Sequence, residues 1–456
     1  MLQIGYQVPT LFFLHALGAS AQEWDAVVAR LRDRYDCVAL DMPGFGDAAD
    51  AGYVDVAAAV AWFTREVRAR RPDRWLIVGH SMGGKIATLV AAQAREGVAG
   101  LSGLAGVVLV AASPPAPEPM DEDRRRQMLG WFADGPASEA QARTFVAANV
   151  AADLPPAMEA RAVADVRRSH RQAWLGWLER GSREDWSEEA GRLPIPALIL
   201  AGGEDGDLGE EAQRRWNLPH YPNGRIAVVA DAAHLLPYEQ PERLADLIAA
   251  HAEHALASAL PAAFLNLLGS ARVSAQTRRL LLERHAGPAA DARTLLTDRQ
   301  VEILKLLIAH VLPDAADPAD LARRIDVALA SGEGDGWRYA DLPPDASGWT
   351  MALDLLDQHG FADQAAAARE DLLRSIAEGA DTVGVRLAPW TCRQWQHWFA
   401  DARGEIVRQW MALPRTMARI GYDGFAVGGD DQRKQGYVRT GADDPEPWQL
   451  SARRPA

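Results

Sequence analysis

Six short apolar runs punctuate the N-terminal half of the chain: Leu11–Leu14, Cys37–Asp41, Trp75–Gly79, Gly103–Ala112, Ile195–Gly202 and Ile226–Ala230. Longer helix-period stretches separate most of them. A strand that is apolar on both sides needs cover on both faces, and a parallel sheet with helices above and below provides it. The pattern predicts an α/β fold on a mostly parallel sheet. Most of the runs end in Gly, Asp, His or Ser, at the carboxyl ends of strands where functional loops gather in such sheets.

The third run leads into Gly79-His80-Ser81-Met82-Gly83-Gly84, and a helical stretch, Lys85-Ile86-Ala87-Thr88-Leu89-Val90, follows. Strand, G-x-S-x-G, helix is the setting of a nucleophile elbow. The turn is tight enough to demand small residues beside the serine. It lifts the Ser81 hydroxyl above the sheet at a helix N-terminus, where partial positive charge favours a developing anion. The G-x-S-x-G pattern alone is common; in this context it is specific.

A serine hydroxyl needs a base. Of eleven histidines, His234 lies just after the last run, in Asp231-Ala232-Ala233-His234-Leu235-Leu236-Pro237. The base needs an orienting acid, and Asp205 follows the fifth run in Gly202-Gly203-Glu204-Asp205. Glu204 and Asp207 are near enough in sequence to compete for that role. The order Ser, Asp, His is the order found in hydrolases with this elbow.

From Ser113 to Leu193 the rhythm breaks into helical patterns bounded by Ser113-Pro114-Pro115-Ala116-Pro117 and Leu193-Pro194-Ile195-Pro196. This stretch, about 113–193, reads as a helical insertion over the sheet. Trp131, Trp174, Trp177 and Trp186 fall within it, and packing accounts for them more readily than a substrate pocket. A chain of 456 residues exceeds one ordinary core. Residues 1–257 form the first expected domain and 258–290 a helical connector ending in His285-Ala286-Gly287-Pro288. Residues 291–456 form a second, α-helical domain. In it, Thr297 and Gln300 fit a capping box before the stripe Val301, Leu304, Leu307, Ile308 and Val311. Trp395, Trp398, Ala402, Ile406 and Trp410 make a second helical stripe that suits a core.

Acidic residues outnumber basic ones, 62 to 48, for a net charge of −14. That excludes broad nucleic-acid or anionic-membrane binding. Cys37 and Cys392 lie far apart, without metal-ligand spacing, which fits a reducing compartment and no disulfide framework. No membrane span or secretory signal is visible at MLQIGYQVPT, so a cytoplasmic location is expected.

Residues 9 to about 255 resemble the α/β-hydrolase superfamily. The matching stretches are Leu14-His15-Ala16-Leu17-Gly18, Asp41-Met42-Pro43-Gly44-Phe45-Gly46, the Ser81 elbow, Gly202–Asp205, and Ala233–Pro237 followed by Glu239-Gln240-Pro241-Glu242. The resemblance implies a helical cap where the insertion falls. It implies an oxyanion hole formed by the backbone N–H groups of Leu17 and Met82, with His15 bracing the loop rather than acting as base. Three departures stand out. Ala16 replaces the usual glycine, which would be strained if that position needs positive φ. The N-terminal edge of the sheet is shortened. Asp47 stands where serine is common, in a turn whose role is structural.

Residues roughly 290–450 resemble, more weakly, gluconate 2-dehydrogenase subunit 3, through Leu296-Thr297-Asp298-Arg299-Gln300, the helix to Val311-Leu312-Pro313, and Arg419-Ile420-Gly421-Tyr422-Asp423-Gly424-Phe425. That implies a flavin-dependent dehydrogenase as partner. The expectation for the whole chain is a serine hydrolase acting on a small-molecule ester or lactone through Ser81, His234 and Asp205, with no metal or organic cofactor. The same triad also serves carbon–carbon bond hydrolases, lyases and acyltransferases. A different class is a non-catalytic subunit of an oxidoreductase assembly.

Overall fold

The computed structural model describes residues 8–51, 55–289, 291–313, 317–332, 336–381, 383 and 387–425. Of the sequence expectations, those on residues 1–7 and on 426–456 lie outside the described residues. The chain divides into two compact units, residues 1–282 with 423–456, and residues 283–422.

In the first unit, β1 (Thr10–Leu14), β2 (Asp36–Leu40), β3 (Trp75–His80), β4 (Leu104–Val110), β5 (Ala197–Gly202) and β6 (Gly224–Val229) form one sheet. The order is β2-β1-β3-β4-β5-β6, and every pairing is parallel. Each strand lies on one of the apolar runs. β1, β3 and β5 are buried along their whole length, whereas edge strands β2 and β6 keep partly exposed residues. β4 ends at Val110 because Ala111 turns to φ 40°. β5 begins at Ala197, since Pro196 has no N–H for the ladder. The expected parallel sheet is therefore what forms among the described residues.

Side chains along the strands alternate between two cores. Phe12, Leu14 and Ile77 pack beneath α1 (Val56–Arg70), which contributes Val60 and Phe63, and α2 (Met82–Arg95), which contributes Ile86 and Val90. Leu11, Phe13, Leu76 and Val78 face the other way, onto Ile248 and Ala252 of the helix Pro241–Ser258. From β1 the chain goes outward to β2 and then returns to β3 on the other side of β1. The order of strands reverses there, so the loops after β1 and β3 diverge and leave a crevice. Leu14 pairs with Gly79 at that point.

Between β4 and β5 the described chain contains the helices Glu122–Gly130, Glu139–Ala147, Pro156–Arg168, Arg171–Gly176 and Ser187–Ala190, and no strand. This is the helical cap. Its tryptophans pack: Trp174 is fully buried, stacks on Phe132 at 4.6 Å and donates Nε1–H to the Met128 carbonyl at 3.0 Å. Trp177 is buried, and Trp131 and Trp186 are partly buried against the same core.

The second unit is helical. Thr297 caps the helix Asp298–Val311 in a complete box with Gln300. The helix Cys392–Met411 buries Trp395, Trp398, Phe399, Ala402 and Ile406, with Trp410 partly covered, so the aromatic stripe is core. Among the described residues no helix is long and apolar enough to cross a membrane, and no group of three His, Cys, Asp or Glu is placed to hold a metal.

The first turn of α2 rides directly on the sheet. A Cβ on Gly84 would lie 2.3 Å from the Ala112 Cβ, and one on Gly79 2.4 Å from the Gly83 carbonyl oxygen. Gly84→Ala is therefore expected to cost about 1–3 kcal/mol of stability through overpacking. A lower urea midpoint for the variant checks this, and an unchanged midpoint contradicts it.

Candidate active site

Ser81 joins β3 to α2 with φ 48° and ψ −117°, a conformation that L-residues hold only when the surroundings impose it. Its N–H donates to the Val110 carbonyl at 2.9 Å, and its carbonyl accepts from Gly84 at 2.8 Å and Ser113 at 3.0 Å. The serine thus stands at the N-terminus of a 14-residue helix, where unpaired N–H groups cluster.

The loop after β1 runs beside it. His15 is fully buried; its Nε2 accepts the Met42 N–H at 3.0 Å, and Nδ1 donates to the Ala16 carbonyl at 2.7 Å. Burial pushes the His15 pKa down, against the pull of Glu23, which suits a neutral ring with one proton. The bond to the Ala16 carbonyl also fixes the Ala16–Leu17 peptide plane. In a trans peptide the Leu17 N–H points opposite to that carbonyl. Ala16 does not adopt a left-handed backbone. That conformation falls on Gly18, φ 73°, where a Cβ would lie 2.8 Å from Trp174 of the cap. The glycine requirement therefore sits two residues beyond the position the resemblance marks. Among the described residues, neither the Leu17 nor the Met82 N–H has a hydrogen-bond acceptor.

The loops after β5 and β6 bring Asp205 and His234 together. His234 Nδ1 donates to Asp205 Oδ2 at 2.8 Å, with side-chain exposures of 15% and 4%. The other carboxylate oxygen accepts the N–H groups of Asp207 at 3.1 Å and Leu208 at 3.0 Å. Burial opposes the charge on Asp205, but His234 and those two N–H groups hold its pKa down at about 2. Burial also works against a charged His234, yet the Asp205 carboxylate, helped by Glu118, raises its pKa above 6.5. Both partners are thus tuned toward the ion pair. Asp207 is instead ion-paired to Arg124 of the cap.

Several residues the sequence did not single out complete the site. Asn149 of the cap accepts the main-chain N–H groups of His234 at 3.1 Å and Leu235 at 3.0 Å on its backbone carbonyl. Arg124 bonds the Asn149 side chain at 3.0 Å while holding Asp207. Lys85, one turn past Ser81, is fully buried and donates to the carbonyls of Gly181 at 3.0 Å and Glu184 at 2.9 Å. Burial lowers its pKa to about 8. Glu118 accepts from the Ser113 hydroxyl at 2.6 Å, and burial pushes its carboxyl pKa up. A charged lysine inside the apolar pattern of α2 is the one local signal among them; the others depend on the cap fold. Beside Met82 an apolar cavity of about 30 Å³ is walled by Met42, Phe45, Val56, Ile86 and Trp177.

A profile of the α/β hydrolase family matches residues 11–247. The chain is 26% identical over 240 residues to the biotin biosynthesis bifunctional protein BioHC of Cellvibrio japonicus, covering 52% of this chain and 46% of that protein. It thus spans less than half of that relative. It is 26% identical over 234 residues to the pimeloyl-(acyl-carrier protein) methyl ester esterase of Neisseria meningitidis serogroup B, covering 50% of this chain and 86% of the relative. Among solved structures, an esterase from Exiguobacterium antarcticum aligns with a TM-score of 0.47 and 17% identity, over 54% of this chain and 92% of that one.

Because the Asp205 carboxylate is what lifts the His234 pKa against burial, Asp205→Asn should lower it. An NMR titration of the His234 ring is expected to give a midpoint above 6.5 in the native chain and a lower one in the variant. Equal midpoints would show that the carboxylate does not set the charge of this ring.

Proposed function

Because the chain belongs to the α/β hydrolase family, we propose that it is a serine hydrolase of a carboxylic ester or lactone, with Ser81, His234 and Asp205 as its triad. The observation that carries this reading is the 2.8 Å bond between His234 and Asp205, in loops at the same carboxyl end of the sheet as the strained Ser81. In this mechanism Ser81 Oγ attacks the substrate carbonyl carbon as His234 Nε2 takes the hydroxyl proton. The negative charge moves to the carbonyl oxygen, which the Leu17 and Met82 N–H groups stabilise. The tetrahedral species collapses, and His234 returns the proton to the departing alkoxide. Water, deprotonated by the same ring, then attacks the acyl-serine and releases the acid. Asp205 stays ionised throughout and stabilises the imidazolium.

The substrate class follows the relative that is named a methyl ester esterase. Carbon–carbon bond hydrolysis or a lyase reaction on the same triad is the alternative. Residues 1–257 would be the catalytic module, with 113–193 as its cap. For residues 291–456, docking onto a flavin-dependent dehydrogenase rests on the sequence resemblance alone; co-purification of a flavoprotein with the full chain would test it. A non-catalytic role for the chain would leave Ser81 unreactive.

Ser81→Ala should retain the native circular dichroism spectrum, lose fluorophosphonate labelling and lose several orders of magnitude of p-nitrophenyl acetate hydrolysis. Near-native turnover by this variant would refute the triad.

Asp205→Asn should lower kcat by about 10⁴-fold, the scale of an orienting aspartate's loss, while Asp207→Asn should have a far smaller effect. The reverse ranking would move the role to Asp207.

A further inference from the structure

Beneath the site lies a second acid–histidine pair that the triad chemistry does not use. Glu23, on the 3-10 turn Ala21–Trp24, and His80, the last residue of β3, have side-chain exposures of 0%. Glu23 Oε1 lies 3.0 Å from His80 Nδ1 and accepts the Ala16 N–H at 3.3 Å. On the other side of the ring, His80 Nε2 donates to the main-chain carbonyl of His234 at 2.8 Å. The two rings lie 5.3 Å apart, and Trp24 packs edge-on to His80 at 6.2 Å.

We propose that His80 is a positioning residue for the hydrolase site. With Glu23 it ties the oxyanion loop, the nucleophile elbow and the base loop into one rigid frame. The inference rests on the triad reading above. Three contacts carry it, one to each loop. The Glu23 carboxylate holds the amide next to Leu17. The His80 backbone is the elbow itself. The His80 ring holds the carbonyl of the residue whose side chain is the base.

The hydrogen bonds also fix where the protons are. The His234 carbonyl can only accept, so His80 Nε2 carries a proton. The opposite ring nitrogen faces a carboxylate, and that link needs a proton too, on Nδ1 or on the acid. A proton therefore lies on each side of the ring, and the string from Ala16 to His234 has no repulsive contact. Glu23 Oε2 is buried with no hydrogen-bond partner among the described residues. The carboxylate is thus spent on the loop and the ring, in an apolar setting where an unmade link is costly.

Two substitutions separate the links by length. Asparagine at position 80 can place its amide near the Nδ1 position, toward Glu23, but cannot reach the His234 carbonyl. Glutamine can place its amide near the Nε2 position, toward that carbonyl. Full-length native, His80→Asn, His80→Gln and Ser81→Ala proteins are compared with p-nitrophenyl acetate and by the low-field NMR resonance of the His234 Nδ1 proton. His80→Asn is expected to lower kcat by about 10–100-fold, the scale of a small misplacement of a reacting group. KM should stay within about twofold, and the resonance should shift or broaden. His80→Gln is expected to recover most of both.

A His80→Asn protein with a lower Tm but native kcat and an unchanged resonance overturns the proposal, because that is the behaviour of a residue that only packs. If both His80 variants fail to fold, Glu23→Gln decides. It keeps an oxygen for the Ala16 N–H and removes the acid that shares a proton with the His80 ring, so the same shift of resonance is expected, and an unchanged one overturns the inference. Absence of Ser81-dependent turnover in the native protein would instead overturn the hydrolase reading; the resonance comparison would still decide the positioning of His234.

Discussion

The N-terminus of α2 lies against the ends of β1, β3 and β4 at backbone-contact distance, and the rest of the site is arranged around that approach. A Cβ on Gly83 would lie 2.7 Å from the Leu14 carbonyl oxygen, and Gly79 and Gly84 are as tightly confined. The approach holds Ser81 at φ 48°, a conformation that costs about 1–3 kcal/mol in a non-glycine residue. Main-chain bonds to Val110, Gly84 and Ser113 offset it. These bonds link the elbow to β4 and to the start of the cap, so the strained turn is over-determined by the sheet on one side and the helix on the other. The same closeness brings the Met82 N–H to the serine and sets it beside the loop that carries Leu17.

The cap is tied to this platform chiefly through charged side chains that grip main-chain carbonyls. Lys85 holds Gly181 and Glu184, and within the cap Arg125 holds the Leu178 carbonyl at 2.7 Å. Asp165 accepts from the Ser20 hydroxyl at 2.7 Å, although burial raises its carboxyl pKa. Burying charge is costly unless several hydrogen bonds compensate, and each of these groups has two or more. Asn149 carries the coupling further, because its carbonyl holds the backbone of His234 itself. The cap and the His234 loop are therefore one hydrogen-bonded structure, and the cap conformation bears directly on where the imidazole sits.

How much of this was legible in the sequence depends on how local each signal is. The strands were legible because β1, β3 and β5 are buried along their length and so are written as unbroken apolar runs. Ser81 was legible because the elbow needs three glycines within six residues. Asp205 and His234 could be named because each follows a strand, but which of Asp205 and Asp207 touches His234 is visible only in the fold. The partner of Asp207 is Arg124, 83 residues away on a cap helix. Glu23 and His80 are 57 residues apart and meet only because β1 and β3 are neighbours. Ala16 looked strained by analogy, and the backbone shows why it is not: the left-handed residue is Gly18, pressed by a cap tryptophan that no local pattern places there.

The arrangement of charges around His234 explains why two nearby aspartates have different fates. Desolvation works against a charged His234, and Arg124 acts in the same direction. Stabilising an imidazolium in that setting requires a carboxylate in direct contact, with its own charge secured by N–H donors, as Asp205 has from Asp207 and Leu208. Asp207 contributes its N–H to that cradle and its side chain to Arg124. Pairing the guanidinium offsets a nearby cation that disfavours protonation of His234. One aspartate thus acts on the imidazole directly, and its neighbour acts by occupying a competing charge. Exchanging the roles would leave Asp205 buried without a cation and Arg124 unpaired beside His234.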